Sequence, residues 1–286
     1  MSRGGPDDDR VEVTERAAER EEPSRSRIRE AHERPHDTTL PHGEGREIVE
    51  FRGRDYALNG SEARALETVG AFRVVSPDAV DGGSHGRDVR HGDWRRLNEQ
   101  GLLLHETITD REGSRQVVAL TREGKDLLDA HTPARSEGPR QEYYAGIVKP
   151  RELAHDARIY DAYREEAARI ERGGGRVTRV VLDYELKRDY QTFLHRDDRR
   201  TDGQVLLERR EFAEAHDLPL HRGHVVFPDV RIEYELDGRL EHRDVEVVTE
   251  HYSHGQRAGK AGFSCHGGNR QTGGAPFDPR HVRRLA

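Results

Sequence analysis

The chain of 286 residues is 36% charged and 32% hydrophobic, with a mean hydropathy of -1.00 and a net charge of -7. No apolar run approaches the roughly 18 residues of a membrane helix, and the start, Met-Ser-Arg-Gly-Gly-Pro-Asp-Asp-Asp, lacks the apolar core of a secretion signal. A single cysteine, Cys265, excludes an internal disulfide framework and any all-cysteine metal site. The expectation is a cytoplasmic protein with no membrane contact and with part of its length disordered. Its acidic total repels phosphate at long range, so contact with DNA must come from local arginines.

Residues 1–50 carry charge and proline but almost no large apolar groups, which predicts a disordered tail. From residue 51 to 132 the pattern is that of a folded domain. Ser61, then Ala63, Ala65, Leu66, Val69 and Phe72, reads as a capped amphipathic helix. Ser76-Pro77-Asp78 starts a second, short helix with proline at its first position. A third runs through Asp93, Trp94, Leu97 and Asn98 to a stop near Gly101. Two β-rich runs, 102–108 and 116–120, flank a turn at 110–115, and Thr121 caps a last helix through Leu127 and Leu128.

Helix, helix, helix, hairpin, helix is the order of a winged helix. The segments Trp94-Arg-Arg-Leu-Asn-Glu-Gln-Gly-Leu-Leu and Val118-Ala-Leu-Thr-Arg-Glu-Gly-Lys-Asp-Leu-Leu128 resemble MarR- and PadR-like winged helices. That resemblance implies a third helix in the major groove of double-stranded DNA and a hairpin on the neighbouring backbone. With Trp94 and Leu97 facing the core, Arg95 and Arg96 turn towards solvent or DNA. Arg111 and Arg115 at the hairpin suit phosphate or the minor groove.

Residues 133–145 read as a polar linker and 146–263 as a second domain, with 264–286 a flexible tail. A helix with apolar Leu153, Ala157, Tyr160, Ala167 and Ile170 stops at Gly173-Gly174-Gly175. Val177 to Lys187 reads as a strand, Gly203 to His216 as a helix, and 228–236 and 239–249 as strands joined by the Asp237-Gly238 turn. The class is α+β, or α/β with a mixed sheet. Asp229, Asp244 and Glu246 gather at the strand pair, and converging carboxylates suit Mg²⁺, which prefers oxygen ligands and can activate water against a phosphodiester. An antiparallel hairpin with one wet face also alternates charge in this way, as Glu233, Glu235, Asp244 and Glu246 do. Glu185 is a further candidate carboxylate, His155 reads as a packing or capping residue, and His251, His254, Cys265 and His266 lack the ordered spacing of a zinc site.

Pro228-Asp229 followed by Asp244-Val245-Glu246 resembles the PD-(D/E)XK nuclease pattern, with Glu246 where the lysine belongs and Lys260 as its replacement. The winged-helix order, Leu153-x-His155-Asp156, Pro-Asp and Asp244-Val-Glu246-x-x-Thr249 together resemble the replication-relaxation family of plasmids and integrated mobile elements. That resemblance implies a DNA-binding accessory protein of plasmid replication, relaxation or transfer with a degenerate nuclease-like domain. Two alternatives follow it: a transcription regulator, working as a homodimer on inverted repeats, and a Mg²⁺-dependent endonuclease. In the last, Asp229, Asp244 and Glu246 hold the metal and Lys260 stabilises the attacked phosphate.

Overall fold

Two-residue turns with both residues at positive φ organise the strands that the chain pairs locally. In the computed structural model, which describes residues 38–81, 91–110, 113–134, 139–147, 152–195, 201–248, 260 and 262–267, such turns occur at Arg52-Gly53, Arg222-Gly223 and Asp237-Gly238. Their twist matches that of the flanking strands. The first joins β1 (Glu47–Phe51) to β2 (Arg54–Leu58). The order therefore begins inside the segment expected as a tail. Leu40, Val49, Tyr56 and Leu58 are buried, and within the hairpin Val49, Tyr56 and Leu58 share one face.

Helix α1 (Gly60–Phe72) is capped by Asn59 rather than Ser61, in a reciprocal capping box with Glu62. Glu62 is wholly buried yet paired: Arg46 reaches both its oxygens at 2.8 and 2.9 Å, and Arg96 Nε reaches one at 2.9 Å. Short α2 (Pro77–Asp81) and α3 (His91–Glu99) follow, with Trp94 and Leu97 buried as expected. Strands β3 (Leu103–Asp110) and β4 (Gly113–Leu120) form an antiparallel hairpin, and Val75 adds a bridge to Val118. Thr121 caps α4 (Arg122–His131). The expected element order is thus present.

Part of the expected linker is a packed strap. Over residues 139–147, the Gln141 amide exchanges two hydrogen bonds of 2.9 Å with the Val180 backbone, in the manner of a neighbouring strand. Tyr144 N–H donates to Gly70 and Gly146 N–H to Leu120, each at 2.8 Å. A polar sequence conceals this because its partners are backbone groups far away in the chain.

Beyond the strap, α5 (Leu153–Arg172) leads to β5 (Arg176–Leu182), α6 (Asp183–Leu194), α7 (Asp202–Ala215), a small β6–β7 hairpin (Leu220–His221, His224–Val225), β8 (Val230–Leu236), β9 (Arg239–Val247) and β10 (Ser264–His266). The sheet order is β10-β9-β8-β5, antiparallel except for β10, which runs parallel to β9. The molecule is mixed α+β. Two expectations are corrected here. The strand at Val177 ends at Leu182, because Asp183 and Glu185 supply the acidic first turn that favours a helix. Residues 264–266, expected in a flexible tail, form a sheet strand.

Helix α5 covers one sheet face, burying Ile159, Tyr163 and Ala167 in a core shared with Val180, Ile232 and Val245. That core continues into α1, where Phe72 meets the Tyr163 ring at 4.7 Å. The β3–β4 hairpin also lies on α5: Ile108, Val117 and Ala119 pack with Leu153 and Ala157. The two halves are joined by apolar packing rather than by a flexible tether.

Candidate active site

The register of β8 and β9 decides which carboxylates meet. Arg231 lies opposite Asp244 and Val230 opposite Val245, so one step further Asp229 faces Glu246. Val245 and Val247 are turned into the α5 core, and their alternation puts Asp244 and Glu246 on the other face.

Asp229 is held from all sides. Its N–H donates to the Val245 carbonyl at 3.1 Å, and its carbonyl accepts from Asp183 N–H at 3.2 Å. Oδ2 accepts from Val247 N–H at 2.8 Å, and His155 Nε2, in the first turn of α5, lies 3.3 Å from Oδ1. Burial alone would raise the Asp229 pKa, but His155 and the Val247 N–H more than offset it and hold the carboxyl below its ordinary value. The same contact, opposed by burial, raises His155.

Glu246 is completely buried. Its carboxylate contacts the Lys260 ammonium and lies within hydrogen-bonding reach of Asp229. Burial and the Asp229 charge push Glu246 up to about 7, against the pull of Lys260. Like charges directly opposite each other across a strand pair are destabilising, and burial makes the repulsion stronger. Lys260 at Glu246 and His155 with the Val247 N–H at Asp229 oppose that repulsion.

Asp244 is not part of this cluster. Arg231 grips Asp244 bidentately at 2.7 and 2.8 Å and also donates to the His216 carbonyl at 2.7 Å. Among the described residues no three His, Cys, Asp or Glu side chains are arranged to hold a metal ion. Of the expected ligands Asp229, Asp244 and Glu246, the structure brings Asp229 and Glu246 together and leaves Asp244 apart, with Lys260 in contact with Glu246. His155, read from sequence as a packing or capping residue, is the member that spacing could not reveal. Glu185 lies elsewhere, on α6 and paired with Arg179. His266 is bound to Glu165 and Glu166 at 3.1 and 2.8 Å, while His251 and His254 lie outside the described residues.

Comparison with protein-family models, with curated proteins and with solved structures finds no match.

The expected DNA-contacting arginines divide sharply. Arg95 is exposed on α3 and, among the described residues, pairs with Glu99 at 3.4 Å. Arg96 turns inward to Glu62 and Asp93 and helps neutralise a buried carboxylate. Arg115 donates to the Ala154 carbonyl at 3.2 Å, fastening the hairpin to α5. Arg111 lies outside the described residues. Arg96 and Arg115 thus contribute to internal cohesion, which a count of arginines along the sequence cannot detect.

Proposed function

We propose that this protein acts on duplex DNA, with the segment Gly60–His131 serving as a winged helix. Asp229, Glu246 and Lys260 form a metal-dependent phosphodiester-hydrolysing site of the PD-(D/E)XK kind. The observation that carries the reading is the buried Asp229–Glu246 pair with Lys260 beside it. Two crowded carboxylates and an ammonium suit a divalent cation, because Mg²⁺ is commonly held by one or two carboxylates and completes its shell with water. Asp229 and Glu246 would hold the ion, which when bound supplies an activated water and charge neutralisation at the phosphate. Lys260 is suited to neutralise the attacked phosphate, and His155 fixes the Asp229 carboxylate. The β3–β4 hairpin packs against the same first turn of α5 that carries His155.

A second reading is a DNA-binding accessory protein of a mobile element that does not cut. It is favoured by Asp244, whose commitment to Arg231 removes one acid from the expected ligand set. A salt-titrated assay on supercoiled plasmid separates the two. Nicking that requires Mg²⁺ and vanishes in Asp229→Ala with DNA affinity retained supports hydrolysis, whereas binding without nicking supports the accessory role.

A further inference from the structure

Strand β10 is joined to the sheet by little backbone. Among the described strands it pairs with β9 alone, in parallel register: Ser264 with Val245, Cys265 with Glu246 and His266 with Val247. Parallel pairing is slightly weaker per residue than antiparallel, so three such pairs at a sheet edge call for side-chain anchors. Alternation along the strand sets the faces. Cys265 lies on the Glu246 face, and His266 lies with Val247 on the face that α5 covers.

Two anchors flank the strand. Phe263 is buried and closes a turn in which its N–H donates to the Lys260 carbonyl at 3.0 Å. At the other end His266 reaches the middle of α5, with Nε2 2.8 Å from Glu166 Oε1 and Nδ1 3.1 Å from Glu165 Oε2. The Glu165 side chain is 65% exposed and that of Glu166 only 1%. Water screens the first contact and not the second, so the bond to Glu166 is the stronger. Glu166 also accepts from Arg169 of its own helix and from Arg243 of β9, the latter at 2.9 Å. One buried carboxylate thus ties α5, β9 and β10 together. The turn leading into β10 carries Lys260, which contacts Glu246 on the opposite face of the sheet.

We propose that His266 is a positioning residue for Lys260. Its bond to Glu166 fixes β10 on α5 and so sets the Lys260 ammonium against Glu246. An anchor on one sheet face serves the site on the other. The functional weight of this inference rests on the reading of Lys260 as part of a hydrolytic site, whereas the placement of Lys260 is measurable without metal or DNA.

The test is nuclear magnetic resonance of the full chain in EDTA after reductive methylation with isotope-labelled formaldehyde. The chain has four lysines, Lys125, Lys149, Lys187 and Lys260, and the signal missing from Lys260→Arg is that of Lys260. Its side chain is 19% exposed, so in the parent the signal should resist broadening by a soluble gadolinium chelate. In His266→Leu, which keeps bulk but donates nothing, it should shift and broaden. In His266→Gln, whose amide nitrogen stands in for Nε2 at Glu166, it should stay in place. Glu166 retains Arg169 and Arg243 in both variants, so its charge is not stranded. If circular dichroism shows His266→Leu unfolded, His266→Asn, whose shorter amide reaches Glu165 alone, replaces it with the same expected shift. Arg169→Gln removes a partner of Glu166 without touching β10 and should leave the signal unmoved, which separates placement from a general loss of stability. A Lys260 signal unchanged in folded His266→Leu or His266→Asn overturns the proposal, as does one displaced equally by His266→Gln or Arg169→Gln. With a parent that nicks, His266→Leu should nick at least about tenfold more slowly with DNA affinity retained. A parent that never nicks removes the hydrolysis reading and leaves the resonance result to decide the placement.

Discussion

Replacing Asp244 with alanine leaves the Arg231 guanidinium buried without its carboxylate. Both side chains are nearly closed to solvent, 8% and 7% exposed, and joined by two short hydrogen bonds. Removing one partner of such a pair costs about 3–5 kcal/mol, chiefly because the remaining charge stays buried and unpaired. With an m-value of about 3 kcal/mol/M, the urea midpoint should fall by roughly 1–1.7 M. Replacing both partners with apolar residues of similar volume, as in Arg231→Met with Asp244→Leu, should bring the unfolding free energy back to within about 1 kcal/mol of the parent, since isosteric apolar pairs often match a buried ion pair. Equilibrium urea unfolding followed by far-ultraviolet circular dichroism measures both. An Asp244→Ala protein with an unchanged midpoint would refute the structural role argued for this residue.

Three further outcomes follow from the same geometry. Glu166, held at a pKa of about 2 by His266 and Arg243 against the effect of burial, contributes stability that is present above its ordinary 4.5 and lost as pH falls towards 2; Glu166→Gln should remove a few kcal/mol of that slope in acid unfolding curves. Glu246 behaves oppositely: its raised pKa of about 7 favours the fold below 4.5 and loses that contribution as pH rises through 7. Millimolar Mg²⁺ should therefore raise the melting temperature more at about pH 8 than at about pH 5, and equal gains would argue against a cation at this pair. A Cβ on Gly124 would fall 2.3 Å from the Leu102 carbonyl oxygen, so Gly124→Ala should lower stability by roughly 1–3 kcal/mol in thermal unfolding.

Local chemistry made much of the fold legible. Thr121 at a cap, proline at Pro77, Asp237-Gly238 between alternating strands and the inward Trp94 and Leu97 all announce themselves within a few residues. The features that escaped depend on distant partners. Gln141 reads as a linker residue until Val180 is beside it, and Arg96 reads as a groove residue until Glu62 is. Strand β10 is three residues long and is stabilised by pairing with β9, which its own composition does not encode. In the cluster, alternation identified the face carrying Asp244 and Glu246, but only the register separates an acid opposite an arginine from an acid opposite another acid. His155 joins Asp229 through the docking of α5, which no spacing along the chain records.

The most direct measurement of the central claim is Mg²⁺-dependent nicking of supercoiled plasmid by two proteins, Glu246→Gln and the double variant Arg231→Met with Asp244→Leu, beside the parent. The two-carboxylate site predicts that Glu246→Gln binds DNA without nicking it, while the double variant nicks as the parent does. Nicking by Glu246→Gln, or a parent that never nicks at any salt or Mg²⁺ concentration, would contradict it.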